Sequence, residues 1–554
     1  MSTQANRVDP PGQASPTSIT NQVAKSGGRG NIPEPRSPIV IRSNVEPRLK
    51  HNSALPIHSL PAELFLQVVH HDLQRFLENN HWRYYSHVIG LSGVCSYWYN
   101  VIRDSPPIWA QIHSSDSPNI VEMAFQRSSS HLIDIKIHQV RDQEHLQQFI
   151  NTILSHTNRW RSLDAFAACS WMSLLTTALN KPALNLEKLS LTDQDTTSSN
   201  DAVDLFGGTA PQLKKLTLNG VSARWDSEVV HGLKFIDLSW IHFPSTKTVL
   251  DILFHSPQLQ RVIVWQCTTG SIFTDSSYSI QLSRLSSLHI DLDSLEAIDS
   301  ILASLKGSDR ISLSIPLLAG ENFDGFLRSR LGGWTSNWNV TPTFQLGGLE
   351  LEIDTSDLRM GILTPGHPEP LTLAFDGFNV RGPELLVAFS FVVDRLGSWA
   401  KESSTMHLKL GNLPHVYPFY QVSTQRTFVN ELCRLPPITS LEISGGHLRS
   451  LVDIVIREGG SSIFRDVCAL SFSALDYSEL SQTLEWLSHT VRFIKAATES
   501  SLDEVNRKPK LQKVELRFFL PVDSNKVESV EVAVKELEGI VGPGTVFVIV
   551  GDQN

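Results

Sequence analysis

Apolar positions along the chain fall into two patterns, one helical and one of period two. Leu64 and Val68, and then Phe65, Val69 and Leu73, recur at i, i+4 and predict a helix with an apolar stripe. Ser59 before Leu60-Pro61-Ala62-Glu63-Leu64 supplies a cap, Pro61 suits a first turn, and Glu63 favours the positive helix end. Val88, Leu91, Cys95, Trp98 and Ile102 step by 3, 4, 3 and 4 and predict a second helix, stopped near Asp104-Ser105-Pro106-Pro107. Asn79-Asn80-His81-Trp82 reads as the loop between them.

From about residue 160 the pattern becomes Leu-x-x-Leu-x-Leu with aliphatics tolerated. Good copies are Leu186-Leu189-Leu191, Leu213-Leu216-Leu218, Leu233-Ile236-Leu238, Leu259-Val262-Val264, Leu285-Leu288-Ile290, Leu346-Leu349-Leu351, Ile438-Leu441-Ile443, Val467-Leu470-Phe472 and Leu511-Val514-Leu516. Ile311-Leu313 and Leu408-Leu410 are weaker, and Trp160-Leu163-Ala165 is a degenerate first copy. Middle positions 189, 216, 236, 262, 288 and 311 are spaced by 27, 20, 26, 26 and 23, the period of leucine-rich repeats. In Leu-x-Leu both side chains leave a strand on one side, and only a stack of such strands buries that side. Ser245–His255 reads as a returning helix stopped by Pro257. The repeat consensus places Asn or Cys three residues beyond the last Leu; Cys267 alone clearly fits, which predicts irregular turns. Residues 352–405 show no repeat, and Thr545–Val550 reads as a last buried strand closing the array.

Of 554 residues, 41% are hydrophobic and 19% charged, enough to bury cores through most of the chain. Residues 1–50 differ: 13 of the 50 are hydrophobic, 17 are Pro, Gly or Ser, and the local charge is about +4. They read as a disordered tail, solvated or serving nuclear import or an anionic partner. The net charge of −10 argues against a protein held on nucleic acid by its whole surface. Five scattered cysteines without a CxxC pair argue against a disulfide scaffold or thiolate zinc site and suit a reducing compartment. The polar N-terminus lacks the apolar core of a secretory leader, and no run of about 18 apolar residues would span a membrane. A cytoplasmic or nuclear location is expected.

The helical segment, with Leu60-Pro61-x-Glu63-Leu64, Val68-Val69, Val94-Cys95-x-x-Trp98 and Ser105-Pro106-Pro107-Ile108-Trp109, resembles an F-box. With the repeats behind it, the chain is similar to the F-box-like proteins expanded in mushroom-forming fungi, and Arg159-Trp160-Arg161-Ser162-Leu163 resembles a stretch found where their repeats begin. It departs in having Ser96 and Tyr97, where that family often has basic residues, and in a long stretch from Asp72 to His87. The expected fold is α/β: a disordered tail over 1–50, a small all-α F-box-like block over 51–115, and an irregular leucine-rich-repeat solenoid of parallel strands and outer helices over 116–554.

The resemblance implies a non-enzymatic adapter of an SCF-type cullin–RING ubiquitin ligase. The block would bind the Skp-family adaptor, and through it a cullin, while the repeats hold a client protein. Leu60, Pro61, Leu64, Val68, Val94 and Trp98 match the motif as adaptor-binding residues, although Val94 and Trp98 are equally open to internal packing. A scaffold without ubiquitin transfer is the alternative.

No chemistry-bearing motif competes. There is no GxSxG elbow, no phosphate loop and no HExxH; His70 and His71 are adjacent and cannot share a helix face. Asp291, Asp293, Glu296 and Asp299 lack the glycine and terminal glutamate of a calcium loop and read as a solvated turn and helix start. No catalytic residue, metal or cofactor is expected. Trp225, Trp240, Trp265, Trp334 and Trp338 fall near repeat strands, where core or rim positions are the ordinary reading.

Overall fold

The computed structural model describes residues 56–80, 83–138, 142–194, 202–275, 278–306, 312–316, 323–332, 348–353, 357–363, 371–376, 382–399, 406–410, 422–444, 454–458, 460–475, 480–499, 511–518 and 527–550. The tail expected over 1–50, and His81, Trp82, Trp334 and Trp338, lie outside them. The chain divides into two compact units, Met1–Val69 and His70–Asn554, with the division inside the first long helix.

That helix, α1, spans Ala62–Asn80 and follows a 3-10 turn at Pro56–Ser59. Its start is displaced from the expected one. The Pro61 carbonyl accepts the first helical bond, from Phe65 N at 3.0 Å, so Pro61 rather than Ser59 caps it. A residue before proline is pushed out of helical conformation, which holds Leu60 outside. Phe65, Val69 and Leu73 are buried as their i, i+4 spacing requires.

The second predicted helix is two. Tyr84–Ser92 forms α2 and Ser96–Arg103 forms α3, with an extended Cys95 between them. Gly90 and Gly93 each weaken a helix by about 1 kcal/mol relative to alanine, and Gly93 N closes α2 onto the Ile89 and Gly90 carbonyls. Only the ends of the stripe, Val88 and Ile102, are fully buried. The stop is where the prolines put it, and Pro106–Trp109 makes a further 3-10 turn. Tyr84 Oη donates to the Ile108 carbonyl at 2.8 Å, and Trp109 Nε1 to the Ile102 carbonyl at 2.9 Å. These bonds fasten both helices to the 3-10 turn that leads into the sheet's first strand.

The strands of the main sheet are β1 (Gln111–His113), β2 (Ile133–Ile137), β3 (Trp160–Ala167), β4 (Lys188–Asp193), β5 (Lys215–Asn219), β6 (Phe235–Ser239), β7 (Arg261–Thr269), β8 (Ser287–Leu292) and β9 (Ser312–Pro316), which pair in parallel in chain order. The ladder therefore begins earlier than about residue 160. Its first strand falls within the segment expected to be all helical. Ile133-Asp134-Ile135-Lys136-Ile137 alternates as a half-buried strand should, but lacks the leading leucine of the repeat. One register row runs Ile112, Ile135, Leu163, Leu189, Leu216, Ile236, Val262, Leu288 and Leu313, each at most 2% exposed. Leu313, not Ile311, thus holds the middle position of its copy.

The stretch without a repeat contains an antiparallel insertion. Strands β10 (Gly348–Ile353), β11 (Asp357–Leu363) and β12 (Leu371–Asp376) form a meander in which β11 runs against both neighbours. Strand β12 pairs with β9, and β10 pairs with β13 (Met406–Leu410), so chain order is inverted locally while the outer pairings stay parallel. Leu351, not Leu349, is in register with Leu408. Parallel pairing resumes through β14 (Ser440–Ser444), β15 (Ala469–Leu475), β16 (Lys513–Phe518) and β17 (Val546–Val550). The last strand is where the sequence places it but is not buried: Phe547, Val548 and Ile549 are 45%, 38% and 39% exposed. Among the described residues it has a neighbour on one edge only.

Helices return the chain between strands. Pro118–Arg127 (α4), Gln143–Leu154 (α5), Cys169–Ala178 (α6), Thr246–Phe254 (α7) and Leu295–Ser304 (α8) lie between strands β1 and β9, each starting after a residue in extended conformation. Asp142 caps α5 by accepting from His145 N at 2.8 Å, and Ser294 caps α8 at Ala297 N. The acidic residues near 291–299 have structural partners: Asp293 accepts from Thr269 N, and Asp299 pairs with Arg330. Cys267 is buried with its thiol directed to the Leu238 and Trp265 carbonyls, both at 3.4 Å, and burial pushes that thiol up to about 12.

Candidate partner-binding surface

The six motif residues differ sharply in exposure. In the first unit, Leu64 and Val68 are 46% and 55% exposed, Pro61 is exposed and Leu60 half-buried. Leu64 and Val68 lie one turn apart on a single face of α1, while Phe65 and Val69, each one position on, are buried. The helix thus carries two apolar stripes, one packed and one turned to solvent. In the second unit, Val94 is 58% exposed in the turn before α3, and Trp98 on α3 is half-buried.

Two further exposed apolar residues of the second unit were not singled out by the motif. Ile89 on α2 is 49% exposed and Tyr99 on α3 is 41% exposed, with the Arg103 guanidinium 5.4 Å from the tyrosine ring centre. Both lie off the Val88–Ile102 stripe, which was the only signal the spacing offered. Charge near these residues is modest. Asp72 and His87 pair at 2.7 Å, and the neighbouring Arg103 holds the Asp104 carboxyl below its usual range.

The Arg159–Leu163 stretch has a full structural account. Arg159 reaches the His131 carbonyl at 3.1 Å and Ser128 Oγ at 2.6 Å, behind the end of α4. Trp160 Nε1 donates to the Ile153 carbonyl at 3.2 Å, repeating seven residues back the bond that Trp109 makes to Ile102. Arg161 Nε and Ser162 Oγ donate to Asp134 Oδ1 at 3.0 and 2.6 Å, and Leu163 enters the buried row. These residues set the register of β2 and β3.

Among the tryptophans near the strands, Trp225 packs against Phe243 at 5.2 Å between ring centres. Trp240, 40% exposed and with φ of 56°, meets Trp265 edge to face at 5.8 Å.

Among the described residues no group of three or more His, Cys, Asp or Glu side chains could hold a metal ion, and no helix is long and apolar enough to cross a membrane. No family model and no curated protein matches the chain.

Proposed function

We propose that the chain is the client-recognition adapter of an SCF-type cullin–RING ubiquitin ligase, with an F-box-like helical segment that binds a Skp-family adaptor and a leucine-rich-repeat solenoid that binds the client. The observation that carries this reading is the exposure of Leu64, Val68 and Val94, apolar residues left in water at motif positions while their neighbours Phe65 and Val69 are buried. Leaving large apolar side chains exposed is unfavourable for a free monomer and suits a surface that a partner covers. The stacked Leu-x-Leu strands support the solenoid half, because their polar side offers a broad surface for a protein client. Catalysis in such a complex is by tethering: a bound client is held at high effective concentration near a ubiquitin-charged enzyme.

The test is reconstitution. The full chain, assembled with a Skp-family adaptor, a cullin and a RING subunit, should support ubiquitin transfer to the chain itself or to proteins held by the repeats. Pro61→Ala/Leu64→Ala should abolish both assembly and transfer. Assembly without any transfer would favour the scaffold alternative, and no assembly by the folded chain would remove the reading.

A further inference from the structure

Strands β6 and β7 end side by side in strained backbone. Ser239 is in register with Trp265, and the residues that follow them, Trp240 and Gln266, both have positive φ, 56° and 49°. That region favours glycine, and a bulky residue held in it is strained. Such strain persists where the surroundings impose it, and it gathers at ligand clamps. Here the two turns are tied together, with Trp240 N donating to the Trp265 carbonyl at 3.1 Å. Trp265 follows Val264 of the buried ladder, so its ring stands on the opposite, polar side of the sheet. Trp240 meets it at 83° with 5.8 Å between ring centres, and 40% of Trp240 stays exposed. Two indoles at a right angle make an open corner in which a rounded group touches both.

Charge decides what kind of group. Residues 235–243, 262–273 and 285–296 hold most of β6, β7 and β8 and the turns after them. They contain Asp237, Asp291, Asp293 and Glu296 but no lysine or arginine. Arg261 stands four residues before Trp265, about 13 Å back along the strand. Arg224, in the turn after β5, is paired with Asp204 and Asp226, both at 3.4 Å. A cation fits these surroundings and an anion does not. Indole faces attract cations, and quaternary ammonium groups are held between aromatic rings in this way. A lysine ammonium carries three N–H donors that water satisfies and indole does not. A trimethylated ammonium keeps the charge, has no donor to strip and presents apolar methyl groups.

We propose that the corner between Trp240 and Trp265 binds a trimethyllysine side chain of a partner protein. The corner is open, with Trp240 exposed on the polar side of a broad sheet. That suits a side chain carried over the sheet by its own backbone better than a small free cation, which needs walls all round. The proposal rests on the repeats being the protein-binding half of the adapter.

The test uses the full chain and fluorescein-labelled nonapeptide pools with a fixed central trimethyllysine. Matched pools carry lysine or the uncharged tert-butyl isostere of trimethyllysine, and choline chloride is the competing probe. The trimethyllysine pool should bind at least tenfold tighter than the other two pools and than choline. Trp240→Gly removes one wall and relieves the positive φ. It should bring binding to the level of the lysine pool with a melting temperature no lower than the parent's, whereas a merely structural tryptophan would lower it. Phe254→Ala, at an aromatic 52% exposed outside the corner, should leave binding as it is. Equal binding of the trimethyllysine and tert-butyl pools by the parent chain, undiminished binding by Trp240→Gly, or tighter binding of choline would overturn the proposal. Capture of a Skp-family adaptor by the same preparation separates the two readings. Capture without trimethyllysine preference sinks this inference alone, and trimethyllysine preference without capture sinks the ligase reading alone.

Discussion

Replacing Asp116 with asparagine should stabilise the protein at pH 8 and leave it nearly unchanged at pH 4. Asp116 lies in the turn after β1, half-buried, with Oδ2 lacking a hydrogen-bond partner among the described residues. Burial pushes its carboxyl up to about 7, against an ordinary value near 3.8, and a backbone hydrogen bond at His113 offsets this only partly. The folded state therefore binds the proton more tightly than the unfolded one. Its contribution to stability is complete below about pH 4, declines as pH rises through 7, and is lost above that. A shift of about three units at ~1.4 kcal/mol each sets a ceiling near 4 kcal/mol, and water on the exposed side brings the expected figure to about 2 kcal/mol. Asparagine keeps the shape and never ionises. Urea unfolding followed by tryptophan fluorescence at pH 4, 6 and 8 should show the advantage of the variant growing from near zero to about 2 kcal/mol. An advantage independent of pH, or a variant less stable than the parent at pH 8, would refute the burial argument.

Other consequences follow from the same packing and charges. Leu216→Ala, at a fully buried site in the middle of the register row, should cost about 3–5 kcal/mol by urea unfolding, while Thr217→Ala on the opposite face should cost under about 1 kcal/mol. Phe65→Ala should destabilise by about 3–5 kcal/mol and its exposed neighbour Leu64→Ala by less than about 1 kcal/mol, measured as melting shifts of the full chain. Burial alone would raise the Asp134 carboxyl, but bonds from Arg161, Ser162 and Gln111 outweigh it and hold the group below the usual range. That stability is present above about pH 4 and lost as pH falls, so Arg161→Gln should cost about 1 kcal/mol at neutral pH, after screening of the half-exposed guanidinium, and progressively less as pH falls below about 4.

How legible these features are in the sequence depends on how local they are. Leu186-Leu189-Leu191 and its copies announce their strands because alternation and spacing are short-range signals, and among the described residues the Leu-x-Leu part of each copy lies on a strand of the sheet; Leu346 and Ile311 lie outside the described residues. Ile133-Asp134-Ile135-Lys136-Ile137 lacks the leading Leu of the repeat, and its alternation alone marks it as a strand. Asp357–Leu363 alternates, with Leu358, Met360 and Ile362 at period two, but its reversed direction is fixed by pairing with both neighbours, which no repeat period encodes. The break between α2 and α3 shows that an unbroken stripe at helical spacing survives two glycines on paper but not in the backbone. Leu64 and Phe65 are adjacent leucine and phenylalanine, and composition cannot say which one the fold buries.

The most direct test of the adapter reading is calorimetric titration of the full chain with a purified Skp-family adaptor, beside Leu64→Ala/Val68→Ala. Full burial of a leucine or valine is worth about 1.5–3 kcal/mol, and roughly half of each side chain is already covered, so docking should gain about 1 kcal/mol from each. The account expects micromolar or tighter binding, weakened about 30-fold in the double variant with an unchanged melting curve. No heat of binding from the folded chain, or equal affinity of parent and variant, would contradict it.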